Sequence, residues 1–226
     1  MAELRKIAEI RTDFPEKFGI PRQSGLSHAK GRIVFEPAYR NPDALRGIEE
    51  YDYLWLIWGF SENRDDAFRP TVRPPRLGGN ERVGVFATRS PYRPNPIGLS
   101  CVRLIGVQKE RDGSFVLMVE GVDMVDRTPI YDIKPYLPYI DAKTEARGGF
   151  ADRTKGYTLN VEFPENAVDF FTVSELEEVR ELLSQDPRPS YQDDPQRIYG
   201  MRYAGRNIRF RVEKGSLVVL EISVED

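Results

Sequence analysis

Ahead of residue 140 the chain is cut repeatedly by Gly and Pro into short apolar runs that carry little helical periodicity. Runs too short for a helix and bounded by turn formers read as strands, which sharply limits what this half can fold into. The expected strands are residues 4–11, 31–35, 53–60, 83–88, 97–107, 114–122 and 129–134. In 100–107 and 114–121 the apolar residues are nearly continuous, the pattern of strands covered on both faces. Seven such strands, with no repeat and no strand–helix alternation, predict a mainly β fold, a barrel or a sandwich.

The pattern changes after residue 157. Residues 1–140 read as the barrel domain, the polar, Gly-bearing 141–157 as a linker or surface loop, and 158–226 as a small α+β domain. A strand at 159–163 opens the second domain. Thr172-Val-Ser-Glu175 fits a capping box, and Leu176, Val179, Leu182 and Leu183 follow at helical spacing until Asp186-Pro187 stops the helix. Strictly alternating residues 207–212 and the apolar 217–224 are expected to form a hairpin through Glu213-Lys-Gly-Ser216.

Composition removes several chemistries. The chain has one Cys, Cys101, and one His, His28, so no disulfide forms within it and a Cys/His zinc site is out of reach; no metal is expected. His28 sits in the polar loop Ser24-Gly-Leu-Ser-His-Ala-Lys-Gly31 and reads as a plain loop residue rather than a triad base. There is no Gly-x-Gly-x-x-Gly and no P-loop. The longest apolar run, residues 53–60, is far short of the roughly 20 residues a membrane helix needs. The start, Met-Ala-Glu-Leu-Arg-Lys-Ile, lacks the apolar core of a secretory signal; with an unpaired thiol this points to a cytoplasmic home with no membrane contact.

The net charge of −3 hides an asymmetry. Residues 160–226 hold 14 acids and 8 bases, leaving residues 1–159 net positive by 3, and Arg supplies 25 of the 33 basic residues. Much of that Arg lies in Arg69-Pro-Thr-Val-Arg-Pro-Pro-Arg-Leu-Gly-Gly79 and Gly84-Val-Phe-Ala-Thr-Arg-Ser-Pro-Tyr-Arg-Pro-Asn-Pro-Ile-Gly98. Pro and Gly at this density specify a rigid, irregular backbone, and guanidinium groups on it suit phosphate or carboxylate. A solvated loop packed across a barrel end fits the same composition. A second cluster, Val122 to Pro138, contains Asp126, Asp132, Tyr131, Lys134 and Tyr136. Strand alternation puts Asp132, Lys134 and Tyr136 on one face, as a proton-handling group or as a structural ion pair.

At these residues the sequence resembles the TrmO family, also called YaeB or TsaA-like. The matching strings are Pro21-Arg-Gln23, Arg69-Pro-Thr-Val-Arg-Pro-Pro-Arg-Leu-Gly-Gly-Asn80, Gly84-Val-Phe-Ala-Thr-Arg-Ser90, Arg93-Pro-Asn-Pro-Ile-Gly98, Asp132-Ile-Lys-Pro-Tyr-Leu-Pro138 and Gln185-Asp-Pro-Arg-Pro-Ser-Tyr191. The resemblance implies a non-Rossmann, TsaA-like β-barrel acting as a homodimer with the cofactor near the subunit interface. It implies S-adenosylmethionine-dependent methylation of N6 of N6-threonylcarbamoyladenosine at position 37 of threonine tRNA, next to the anticodon. Carried over by position, cofactor contacts are Pro21, Arg22, Gln23, Ser61, Glu62, Arg89, Cys101, Asp126, Arg127, Thr128 and Pro129. Three positions depart from the family pattern, Ser61-Glu62 for His-Gln and Arg127 for a Gly that matters if the turn needs positive φ.

On this reading the Arg/Pro loop has a polyanionic target, the tRNA anticodon loop, with Arg69, Arg73, Arg76, Tyr92, Arg93 and Asn95 facing the RNA and aromatic rings stacking on its bases. Asp132, Lys134 and Tyr136 are the expected catalytic group, taking the N6 proton or orienting the urea. Two competing functions remain open, a non-catalytic RNA-binding barrel and a methyltransferase with another acceptor.

Overall fold

The computed structural model describes residues 3–61, 68–74, 77, 81–153, 155–189 and 194–224. Strands β1 (Ala8–Thr12), β2 (Lys30–Phe35), β3 (Tyr53–Gly59), β4 (Thr71–Val72), β5 (Val83–Gly84), β6 (Ile97–Lys109), β7 (Phe115–Glu120) and β8 (Thr128–Pro135) make up the front. Six of them close into an antiparallel barrel in the order β1–β2–β7–β6–β3–β8. Alternation decides which side chains fill it. Leu54, Leu56 and Trp58 of β3 point inward, meeting Ile10, Ile33, Val102, Leu117, Val119 and Ile130 in a fully buried core, while Tyr53, Trp55 and Ile57 point out.

Two expectations are corrected. The segment 83–88 does not join the barrel: only Val83 and Gly84 are extended, pairing with β4 as a two-stranded ribbon, and residues 85–87 turn into a 3-10 helix. Nor is β6 covered on both faces. Its inner residues are buried, but Leu99 and Ile105 on the outer face are each half exposed.

Trp58 requires a glycine opposite it. Gly98 pairs with Trp58 across β3 and β6, and a Cβ there would lie 2.1 Å from the indole ring. The bulge between Ile57 and Trp58 in the β3–β8 pairing shifts the alternation by one, sending Asp132 and Lys134 outward and Ile133 inward.

Beyond β8 come two short helices, α1 (Pro138–Asp141) and α2 (Phe150–Arg153), in a largely exposed stretch. The second sheet has the order β10 (Tyr199–Tyr203), β11 (Arg206–Glu213), β12 (Ser216–Val224) and β9 (Asn160–Glu162), with β9 parallel to β12. Helix α3 (Val173–Ser184) has the expected capping box, with Thr172 and Glu175 each accepting from the other's backbone N–H. Its Val179, Leu182 and Leu183 are buried. The hairpins turn at Ala204-Gly205 and Lys214-Gly215, where both residues of each pair have positive φ, as type I′ turns demand.

The second unit grips the segment between β1 and β2. Phe14 packs on Tyr203 with ring centroids 5.1 Å apart, and Ala204 N–H donates to Asp13 O at 3.1 Å. Lys30 and the Tyr203 hydroxyl both bond the buried Glu178 carboxylate, each at 2.9 Å. His28, exposed on the loop before β2, bonds Glu181 of α3 through its backbone N–H and its ring.

Candidate active site

The barrel mouth near the start of β8 opens into a cavity of about 360 Å³. Trp58, Phe60, Met124 and Val125 give it apolar and aromatic walls; Ile20, Pro91 and Tyr92 close one side, and Lys17, Ser61, Thr128 and Asp123 supply polarity. Each wall comes from a different part of the chain: the end of β3, the turn before β8, the loop held by the second sheet, and the Arg/Pro loop.

Asp123 is the group that sequence spacing did not single out. Ser100 Oγ, projecting inward from β6, donates to its carboxylate at 2.6 Å and in turn accepts from Trp58 Nε1 at 2.9 Å. The Ser24 backbone also bonds this carboxyl, and Arg89 bears on it through its charge. Burial outweighs all of these and pushes the Asp123 pKa up to about 6, although the residue keeps an opening to the cavity.

The residues expected to hold the cofactor divide between the cavity and the loops around it. Ser61 and the buried Thr128 line the cavity; the Thr128 hydroxyl donates to Val125 O at 2.8 Å. Arg89 donates to the Gln23 side-chain oxygen, joining the Arg/Pro loop to Pro21-Arg22-Gln23. Arg22 reaches away, donating to Asp186 O at 3.0 Å, and Pro21 is buried. Cys101 N–H donates to Ser24 Oγ at 3.0 Å, which ties the same loop to the outside of β6. Asp126 accepts from Thr12 N–H at 3.1 Å, and Pro129 pairs with Glu9 across β8 and β1. Arg127 has φ of 64° and is largely exposed, so this turn does hold a non-glycine residue in the left-handed region. Glu62 and Arg76 lie outside the described residues.

Asp132, Lys134 and Tyr136 share one face, as alternation required, but it is the outer wall. Lys134 Nζ is 2.9 Å from Asp132, and Tyr136 packs against Tyr53 and Trp55. None of the three lines the cavity.

On the Arg/Pro loop, Arg69 lies 4.4 Å over the Tyr92 ring, while Arg73 and Asn95 are exposed. Arg93 donates to Val85 O and Thr88 O at 3.1 and 2.7 Å, so its guanidinium braces the loop. Phe86, 70% exposed, stacks beside the half-exposed Phe68 at 6.2 Å and sits under Arg93.

Such a cavity fits S-adenosylmethionine by chemistry. Aromatic walls suit an adenine ring and a sulfonium cation, and nearby Arg89 and Lys17 suit an amino-acid carboxylate. The size falls within the range of small-ligand sites. Among the described residues no group of three or more His, Cys, Asp or Glu side chains is placed to hold a metal ion, and no helix is long and apolar enough to cross a membrane.

A closed six-stranded barrel with a polar-bottomed aromatic cavity at its mouth, flanked by an Arg-rich loop, defines a small-ligand site beside a surface suited to a polyanion. The chain belongs to the tRNA-methyltransferase O family: it matches that family's N-terminal domain over residues 9–142 and its TrmO C-terminal domain over 157–225. It is 38% identical to the tRNA (adenine(37)-N6)-methyltransferase of Escherichia coli K12, with 97% of each chain covered. Identity is 40%, again over 97% of each, to a Pseudomonas aeruginosa protein named as a putative S-adenosylmethionine-dependent methyltransferase. A crystal structure of TrmO from P. aeruginosa superposes with a TM-score of 0.80 at 34% identity, covering 99% of this chain and 97% of that one.

Proposed function

We infer that this protein is an S-adenosylmethionine-dependent tRNA methyltransferase acting on N6 of adenosine 37. The acceptor we propose is N6-threonylcarbamoyladenosine in threonine tRNA, modified in the cytoplasm. The observation that carries the reading is convergence: Ser61 and Thr128, from separate segments, line one cavity, and Arg89, joined to Gln23, bears by its charge on Asp123 in the wall of that cavity.

When bound, S-adenosylmethionine supplies an electrophilic methyl group on sulfur. Residues 21–23, Ser61, Glu62, Arg89, the backbone at Cys101 and residues 126–129 are proposed to hold it. Arg89, already fixed by Gln23, is the partner for its carboxylate. Trp58 and Phe60, with ring centroids 4.4 Å apart, exclude water from the deep wall. Methyl transfer gains chiefly from positioning donor and acceptor, which suits a site built on rigid strands.

The RNA face is the Arg/Pro loop. Arg69, Arg73, Arg76 and Asn95 contact the anticodon-loop backbone; Tyr92, with the exposed Phe86 and Phe68, offers stacking surfaces; and Arg93 holds them in place. On the outer wall the Asp132–Lys134 pair fits a structural ion pair, with Tyr136 packed on Tyr53 and Trp55 beside it.

That wall also supports a homodimer. Tyr53, Leu99, Ile105, Tyr139 and Ile140 are exposed on or beside the outer face of β3 and β6, an apolar strip that a second copy would cover. Sedimentation of wild type and Leu99→Glu tests this: a dimer that dissociates in the variant is expected, and a wild-type monomer refutes it. The enzymatic reading is tested by calorimetric titration of S-adenosylmethionine into the isolated protein. Saturable one-site binding is expected. An absence of binding leaves only the RNA-binding barrel.

A further inference from the structure

We propose that Asp123 is the catalytic base of the methyl transfer, the group that takes the proton from the acceptor N6. This rests on the methyltransferase reading above and extends it to a residue outside the cofactor-binding set. In the step, the N–CH3 bond forms as the S–CH3 bond of the donor breaks, that bond's electron pair stays on sulfur, and the N6 proton passes to a carboxylate oxygen of Asp123.

The geometry isolates this group. It is the one carboxylate among the described residues lining the cavity, and it stands in the same wall as Thr128 and Trp58. One oxygen is committed to Ser100 Oγ, which itself is oriented by Trp58 Nε1–H. Ser100 thus spends its proton on the carboxylate and its lone pair on the indole, fixing a direction along the chain Trp58–Ser100–Asp123. Both inward residues of β6 that shape this arrangement are small, Gly98 giving room to the indole and Ser100 supplying the hydroxyl. A purely structural carboxylate has no need of an opening to a cavity, and Asp123 keeps one.

Its environment gives it the right strength for the task. Burial raises its affinity for a proton, while Ser100, the Ser24 backbone and the Arg89 charge work in the opposite direction. Lys17 and Tyr92, the other titratable side chains of this wall, face the same space. With a pKa of about 6, the group is ionised at neutral pH yet basic enough to accept a proton in the transition state.

The test uses Asp123→Asn, Ser100→Ala and wild type. In the protein without cofactor, the Trp58 indole N–H resonance is followed against pH. A titration in the weakly acidic range is expected for wild type, is abolished by Asp123→Asn, and moves to higher pH in Ser100→Ala. Single-turnover methylation at saturating cofactor and tRNA is expected to fall at least ~100-fold in Asp123→Asn, the scale of lost acid–base catalysis. Cofactor affinity by calorimetry is expected to stay within about threefold, since the residue's work is on the acceptor. Turnover within a few-fold of wild type in Asp123→Asn overturns the inference, as does a loss of rate matched by an equal loss of cofactor affinity. Wild type that neither binds cofactor nor methylates tRNA overturns the functional reading itself, and the base with it.

Discussion

Replacing Gly98 by Ala tests the architecture of the cavity with a single methyl group. A Cβ at this position would stand 2.1 Å from Trp58 Cε2 and 2.4 Å from Cζ2, well inside van der Waals contact. The indole has no easy retreat. It packs on Phe60 at 4.4 Å, is 7% exposed and donates to Ser100. Overpacking of this kind costs about 1–3 kcal/mol, and breaking the indole hydrogen bond adds about 1 kcal/mol. A loss of roughly 2–4 kcal/mol is therefore expected, a fall in Tm of about 5–15 °C for a chain of this length. Thermal unfolding by circular dichroism reads the stability, and indole fluorescence reads the displaced ring. Because Trp58 forms a cavity wall, cofactor affinity should fall along with Tm. A variant with unchanged Tm and unchanged fluorescence would refute the placement of Trp58 over Gly98 and the cavity built on it.

Other outcomes follow from the same geometry. Arg89→Ala removes the guanidinium proposed to meet the cofactor carboxylate, and calorimetry should record a roughly 10- to 100-fold weaker Kd, the scale of a charge-assisted bond; an unchanged Kd contradicts the assignment. Arg127→Gly relieves a left-handed residue of about 1 kcal/mol of strain and returns about 0.5 kcal/mol through greater freedom of the unfolded chain. Its Tm should be equal to wild type or slightly higher, and a clear drop would show that Arg127 holds the turn by its side chain. Asp123 also makes stability depend on pH. Its folded pKa of about 6 lies above the usual aspartate value near 3.9, so the folded chain binds the proton more tightly. The resulting stability is fully present below about pH 4 and is lost as pH rises through 6. Asp123→Asn is therefore expected to be more stable than wild type at pH 8, by roughly 1–3 kcal/mol, with the gap closing toward pH 4. Urea unfolding at the two pH values measures it, and a variant less stable than wild type at pH 8 contradicts the burial of this charge.

What the sequence discloses and what it conceals divide along local and non-local lines. The apolar run at 53–59, the alternation in 207–212 and the Thr172–Glu175 box are local patterns, and the strands and helix stand where those patterns put them. The short strand β10 carried the same signal in Tyr199, Met201 and Tyr203, all buried, but Gly200 and the turn directly after it disguised it. Residues 83–88 looked like a strand because Val83, Val85 and Phe86 are apolar; without a barrel neighbour, only the two residues facing β4 stay extended. The exposed Ile105 falls in a run that reads as doubly covered, since apolarity alone does not distinguish a second layer of the same chain from a surface left open.

The site was legible where motif strings are contiguous and opaque where tertiary burial decides. Gln23 and Arg89 meet across 66 residues, and Ser61 and Thr128 line one cavity, four positions that the contiguous strings of the family resemblance name. Asp132 and Lys134 pair on one face as their spacing required. Asp123 sits only three residues before Asp126, in an apolar stretch, and nothing beside it in sequence marks it. Its distinction comes from Ser100, Trp58 and Ser24, which only the closed barrel and the braced 21–24 loop bring to it.

The most direct measurement is nucleoside mass spectrometry of threonine tRNA, prepared with and without the threonylcarbamoyl group and incubated with the protein and methyl-labelled S-adenosylmethionine. The predicted result is one labelled methyl on N6 of the modified nucleoside at position 37, and none in the unmodified tRNA. Label in neither tRNA, or equally in both, would contradict it.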